Sequence, residues 1–210
     1  MRPHVIVNCA ASIDGKLALP DRRQTAISSK EDLARVHRLR ASCDAVLVGV
    51  GTVLADDPSL VVKEEYAPSA RNPIRVVLDS NGRTPDGAKV LDGRARTIII
   101  TDEKCNKTWE GADVLRFGEA CVDLGRALEE LRRMKVGRLM VEGGGTIIWS
   151  FLREGLVDEM KVFVGDMVIG GRGPTVADGD GVRDIAGLIR LRLMKATPMM
   201  GGVLLEYERQ

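Results

Sequence analysis

Twice in this chain a run of apolar residues, mostly branched, ends in closely spaced glycines and passes through a threonine into a helical pattern. The two stretches are Val46-Leu47-Val48-Gly49-Val50-Gly51-Thr52 and Leu139-Met140-Val141-Glu142-Gly143-Gly144-Gly145-Thr146. An apolar strand followed at once by a helix is the unit of a parallel sheet, because parallel neighbours need a crossover and a helix supplies it. The alternation continues along the chain and predicts an α/β protein with a largely parallel sheet. Strands are predicted over 4–11, 44–49, 74–79, 97–101, 113–117, 138–142 and 159–164. Two more, over 188–196 and 202–207, follow without an intervening helix and predict an antiparallel C-terminal hairpin. Ser28 and Ser29, each three residues before Glu31 or Asp32, form a doubled capping signal for a helix through Leu39. Asp123 opens another, with Leu124, Leu128 and Leu131 on one face, and a third starts after Gly145 and ends at Gly155.

Composition narrows the function classes. A formal net charge of +1, from 31 Lys+Arg against 30 Asp+Glu, provides no broad basic field for nucleic acid. Cys9, Cys43, Cys105 and Cys121 form no C-x-x-C pair, and with only His4 and His37 beside them no closed zinc site is expected. The N-terminus lacks the apolar core and cleavage site of a signal peptide, and no apolar stretch is long enough to span a membrane. A reducing cytoplasm is therefore the expected compartment. With no linker or repeat visible, residues 1–210 are read as a single domain.

The glycines carry the chemistry. At a helix start, free N–H groups and a partial positive charge attract anions, and glycine lets a phosphate approach the backbone. Two such starts on parallel strands fall at one edge of a sheet, where a dinucleotide pyrophosphate fits. Gly49, Gly51, Thr52 and Asp56 form the first candidate segment, and Gly143, Gly144, Gly145 and Thr146 the second. Between them Asp79-Ser80-Asn81-Gly82-Arg83 follows a strand. An acid there suits a ribose 2′-hydroxyl, whereas Ser80, Asn81 and Arg83 suit a 2′-phosphate, so the residues alone leave NAD or NADP open. A plain turn is the alternative. The full G-x-G-x-x-G fingerprint is missing from all three, which argues against a true Rossmann domain.

At the first strand's end, Ser12-Ile13-Asp14-Gly15-Lys16 places Lys16 toward Glu142, where an ion pair would handle a proton or orient a sugar hydroxyl; an ordinary surface turn is the competing reading. The Gly-rich run from Gly165 to Gly181 is too long for a simple turn and is read as a substrate-facing loop. No G-x-S-x-G elbow and no G-x-x-x-x-G-K-[ST] loop occur, which removes hydrolase-elbow and P-loop readings.

Taken in order, Ser12–Lys16, Asp44–Thr52, Asp56-Asp57-Pro58-Ser59-Leu60, Val141–Thr146 and Gly155-Leu156-Val157-Asp158-Glu159 resemble the riboflavin-biosynthesis reductase family, over about His4 to Glu206. The resemblance is to its stand-alone archaeal and fungal branch, and a fused zinc deaminase is not expected. It implies a dihydrofolate-reductase-like three-layer α/β fold with a mostly parallel central sheet, a homodimer, and NADPH-dependent reduction of a ribosylamino-pyrimidine phosphate to its ribityl product. It also implies a cis Gly-Gly peptide in the Gly143 loop. On its strength Lys16 and Glu142 are the catalytic candidates. Thr52, Asp56, Asp79–Gly82 and Gly143–Thr146 fall on cofactor segments, with Gly49, Gly51 and Arg83 beside them. Asn8, Ser12 and Asp14 line the nicotinamide and sugar end, and Ser28 and Arg40 are candidates for the substrate phosphate. A reductase acting on the deaminated pyrimidine is one alternative. An ordinary dihydrofolate reductase is another, though two Trp, two Tyr and three Phe provide little to sandwich a pterin. A non-catalytic nucleotide-binding module is the third.

Overall fold

A computed structural model describes residues 1–23 and 25–210. Among them are nine strands and four α-helices. In chain order these are β1 (His4–Ala11), α1 (Lys30–Ala41), β2 (Ala45–Gly49), α2 (Val50–Asp56), β3 (Ile74–Leu78), β4 (Thr97–Thr101), β5 (Ala112–Arg116), α3 (Leu124–Arg133), β6 (Arg138–Val141), α4 (Gly145–Arg153), β7 (Glu159–Gly165), β8 (Leu191–Met199) and β9 (Gly202–Arg209). No described helix is long and apolar enough to cross a membrane.

By internal contacts the chain forms two compact units interleaved in sequence, Met1–His4 with His37–Met140, and Val5–Val36 with Val141–Gln210. The boundaries fall inside β1, α1 and β6, so no linker marks them in the sequence.

In the first unit the strands run in the order β5-β4-β3-β2-β6. The β2/β3, β3/β4 and β4/β5 ladders are parallel. Val46, Leu47, Val48, Val76, Val77 and Ile98–Ile100 are almost fully buried, as strands covered on both faces must be. Asp123 caps α3 by accepting from the Arg126 N–H at 2.9 Å, and Leu124, Ala127, Leu128 and Leu131 turn inward. Arg75, in the middle of this apolar layer, is completely buried. Its guanidinium and Nε reach Asp92 (2.7 Å), Thr97 Oγ1 (3.0 Å) and the carbonyls of Ala95 (2.7 Å) and Lys89 (3.2 Å), so the charge is matched on every side. Burial pushes the Asp92 carboxyl up, but hydrogen bonds from Arg75 and Arg94 hold it down at about 2.

In the second unit the order is β1-β7-β9-β8. β1 and β7 are parallel, and β7/β9 and β9/β8 are antiparallel, which closes the C-terminus with the predicted hairpin. β8 begins at Leu191, later than Leu188, because Ile185–Gly187 first make a 3-10 turn capped by Asp184. Lys161 on β7 lies between Glu206 (2.6 Å) and Glu159 (3.1 Å). Burial alone would lower its pKa, but the two carboxylates raise it above the ordinary value.

Candidate active site

In the second unit β1 delivers its polar residues to a tight turn. Ser12 N–H donates to the Lys16 carbonyl (2.9 Å) and Gly15 N–H to the Ser12 carbonyl (2.9 Å), while Ser12 Oγ accepts from Lys16 N–H (3.0 Å). Gly15 sits at φ +76°, a backbone region that a side chain resists. Ser12 Oγ also donates to Asp14 at 2.6 Å, and Asp14 accepts the N–H groups of Ile169 (3.0 Å) and Gly170 (2.7 Å). The Ser12 hydrogen bond, followed by the Ile169 amide, lowers the Asp14 pKa to about 2. Asp14 thus anchors the Gly-rich loop to the end of β1. Asn8, in the same strand, is 6% exposed, and its Oδ1 has no hydrogen-bond partner among the described residues. A buried amide oxygen left without a donor is costly, and marks a place where a ligand group would be welcome.

Lys16 is held through its backbone, by Ser12 and by an isolated antiparallel bridge to Thr175. Lys16 is half-buried, as is Glu142 one residue beyond β6.

β6 passes through Glu142 into Gly143 and Gly144, joined by a cis peptide, as the resemblance implies. Gly144 is the N-cap of α4 and supplies no side-chain acceptor to the first helical N–H groups. Gly143 is buried, yet no heavy atom lies within 4 Å of where a Cβ would stand. Thr146 follows in the first turn, on the exposed side.

In the first unit β2 runs directly into α2, with Gly49 as an N-cap that likewise lacks a side-chain acceptor. The paired glycines are therefore part of a helix start and not a loop. Gly51 is exposed with open space around it, and Thr52 and Asp56 are half-buried on the same seven-residue helix. Asp79 is fully buried. Its carboxylate accepts from Arg83 N–H (2.9 Å), Thr84 N–H (2.7 Å) and Thr84 Oγ1 (2.7 Å), so it shapes its own loop instead of facing a ribose. Gly82, at φ +66°, would place a Cβ 2.8 Å from Cys105 Sγ. Ser80 is half-buried and accepts the Val122 N–H (3.3 Å), while Asn81 and Arg83 are exposed on the rim.

The two phosphate candidates have protein partners. Ser28 donates to Asp32 at 2.6 Å, and Arg40 donates to the Val61 carbonyl at 3.3 Å, where it steadies the Leu60–Lys63 segment. Of the doubled capping signal only Ser29 caps the backbone, accepting from Asp32 N–H at 3.2 Å. Arg35, which the sequence shows only as one of a basic run on α1, is the arginine that turns inward. Its Nε donates to the buried Asp32 at 2.7 Å, and its Nη1 finds no acceptor among the described residues. Nη2 lies 2.7 Å from the same carboxylate oxygen, an ion pair without hydrogen-bond geometry. Cys9 lies within its electrostatic reach; burial pushes the thiol up to about 12, against the opposing pull of Arg35.

Comparison with known proteins identifies the family and the fold. The RibD C-terminal domain family matches residues 3–205. A 2,5-diamino-6-ribosylamino-4(3H)-pyrimidinone 5′-phosphate reductase from Archaeoglobus fulgidus is 48% identical over 193 residues, covering 86% of this chain and 88% of that protein. A reductase of the same name from Methanothermobacter thermautotrophicus is 43% identical, covering 99% and 98%. Among solved structures, a Thermotoga maritima diaminohydroxyphosphoribosylaminopyrimidine deaminase/5-amino-6-(5-phosphoribosylamino)uracil reductase superposes with a TM-score of 0.83 at 25% identity. It is matched over 100% of this chain, which spans 57% of that longer one. The Saccharomyces cerevisiae riboflavin biosynthesis reductase Rib7, 22% identical, shares the fold with a TM-score of 0.80 over 100% of this chain and 90% of its own. The chain belongs to the RibD C-terminal domain family, the riboflavin-biosynthesis reductases of dihydrofolate-reductase-like fold.

Proposed function

We propose that this protein reduces the ribosyl group of 2,5-diamino-6-ribosylamino-4(3H)-pyrimidinone 5′-phosphate to the ribityl chain, with NADPH as reductant. The observation that carries the reading is the start of α4, where a helix N-terminus without a side-chain cap adjoins empty space at the Gly143 Cβ position, in a chain 48% identical to a reductase of that name. The residues fit a dinucleotide phosphate, since Gly143 and Gly51 leave open the space a Cβ would fill.

When bound, NADPH supplies the hydride that C1′ of the opened ribosylamine accepts, and a proton must reach the nitrogen. The chain's part is to bind, orient and bias charge. Gly143, Gly144, Gly145 and Thr146 hold the pyrophosphate, and Gly49, Gly51, Thr52 and Asp56 contribute a second backbone contact. Ser80, Asn81, Gly82 and Arg83 take the adenosine side; with Asp79 turned inward, the exposed Arg83 favours a 2′-phosphate and hence NADPH over NADH. Asn8 offers its unpartnered amide oxygen to a sugar hydroxyl, Ser12 and Asp14 fix the turn, Lys16 handles the proton and Glu142 orients the open sugar. For the substrate phosphate, Arg35 joins Ser28 and Arg40, because its Nη1 lacks an acceptor.

As part of the same reading residues 1–210 serve as one reductase domain. The enzyme works as a homodimer, which is supported by exposed apolar side chains gathered in one stretch, Ile185, Leu188, Ile189, Leu193 and Met194. It works in a reducing cytoplasm, in keeping with four cysteines that no disulfide joins.

Loss of absorbance at 340 nm on mixing protein, NADPH and the ribosylamino pyrimidine phosphate tests the reading. Dihydrofolate, the deaminated pyrimidine and NADH are run in parallel. Oxidation is expected with the first pair; activity confined to dihydrofolate would overturn the assignment. Replacing Lys16 with Met is expected to lower turnover about a hundredfold while NADPH still binds.

A further inference from the structure

The Gly-rich segment between β7 and β8 reads in sequence as a loop facing substrate, yet its middle is tied on two sides within the second unit. Toward the turn after β1, Leu17 N–H donates to the Pro174 carbonyl (2.8 Å) and Val176 N–H to the Gly15 carbonyl (3.2 Å), with Lys16 bridged to Thr175 between them. Gly173 packs so closely here that a Cβ would stand 2.3 Å from the Ala18 carbonyl oxygen. Toward α4, Asp178 N–H donates to the Gly145 carbonyl at 3.1 Å. A Cβ on Gly145 would stand 2.2 Å from the Thr175 carbonyl oxygen, and one on Gly179 would stand 2.2 Å from Trp149 Cδ1. Inside the turn Asp178 Oδ1 accepts from both Thr175 N–H (3.0 Å) and Thr175 Oγ1 (2.5 Å).

One four-residue turn therefore touches the backbone of Lys16 on one side and the first residue of α4 on the other. We propose that Thr175 and Asp178 are positioning residues whose turn locks the start of α4 to Lys16. This rests on the functional reading above, in which the α4 start holds the cofactor and Lys16 handles the proton. The Asp178 carboxylate closes the turn, the turn fixes the Thr175 backbone, and that backbone sets where Lys16 and Gly145 stand relative to each other. A shift of about 1 Å between such groups is enough to lower a rate about a hundredfold.

The test compares Asp178→Ala with Asp178→Asn, which keeps the Oδ1 acceptor for both Thr175 donors. NADPH affinity, KM for NADPH, kcat and thermal midpoint are measured on each. Asp178→Ala is expected to weaken NADPH binding and to lower kcat, each about tenfold, while Asp178→Asn restores both to within about twofold of wild type. A lowered midpoint with unchanged KM and kcat would assign the turn to stability alone and overturn the proposal. Tighter NADPH binding by Asp178→Ala would also overturn it, by making the carboxylate a mere like-charged neighbour of the phosphate. Should Asp178→Ala fail to fold, Thr175→Val against Thr175→Ser makes the same comparison through the hydroxyl. A loss of kcat in Val that Ser does not share is expected, and equal kinetics would count against the role. If the wild-type protein does not oxidise NADPH with the pyrimidine, it is the functional reading that fails; wild-type turnover with indifferent variants sinks only the positioning role.

Discussion

The turns after β1 and β3 look alike on paper: each follows an apolar strand, and each has an aspartate and then a glycine with positive φ, Asp14-Gly15 and Asp79-Gly82. Their carboxylates do different things. Asp79 is fully buried and binds residues four and five positions on, whereas Asp14 is exposed and, besides Ser12, binds amides at Ile169 and Gly170. The first closes its own loop; the second holds a distant one. An Asp-Gly turn is a local statement about backbone direction, and it leaves open whether the carboxylate is local as well.

That contrast can be broken in order of expected effect. Asp79→Ala leaves the Arg83 and Thr84 N–H groups and the Thr84 hydroxyl, the last two buried, without their acceptor, and is expected to cost about 3 kcal/mol in urea unfolding. A cost under about 1 kcal/mol would mean that water replaces the carboxylate and that the loop is not self-closed. Gly82→Ala combines left-handed backbone strain with the 2.8 Å approach to Cys105 Sγ, and about 2 kcal/mol is expected from the same measurement. Gly15→Ala at φ +76° meets no atom within 4 Å, so only the strain remains, about 1 kcal/mol. Equal losses at the two glycines would show that close packing at Gly82 contributes nothing.

The smallest effect separates the turns by pH. Asp14 is lowered from 3.8 to about 2 in the folded protein, so its hold on the loop is complete above pH 3.8 and is lost as pH falls through about 2. Hydrogen exchange at the Ile169 and Gly170 amides is expected to accelerate over that window, relative to the intrinsic rate, in wild type. In Asp14→Ala the two amides are expected to exchange fast throughout, with no such step. A step that survives the substitution would assign the loop's acid sensitivity to another carboxylate.

Residue patterns within reach of one another made much of this molecule legible. The apolar runs of β2, β3 and β4 and the stripe of α3 are repeated every residue or every third and fourth, and their burial follows from that period. The glycines at the starts of α2 and α4 were legible for the same reason, since strand, glycine and helix are contiguous. Contacts between distant residues were not. Arg75 appears in sequence as a polar interruption of β3, and only the convergence of Asp92, Thr97 and three carbonyls makes its burial tolerable. Arg40 reads in sequence as one more charge on α1, and its hold on the Val61 carbonyl, 21 positions on, shows only in the fold.

By itself, then, the sequence determined the α/β class, the order of its elements, the family and the two glycine-started helices, because each depends on periodicity or on neighbours along the chain. Tertiary structure alone decided which aspartate faces inward, which arginine lacks an acceptor, and that the turn at Thr175 and Asp178 meets both Lys16 and Gly145. The first two turn on burial and side-chain direction, while the last joins groups far apart along the chain, 33 positions between Gly145 and Asp178 and 159 between Lys16 and Thr175. Chain closure over such spans leaves no local pattern to read.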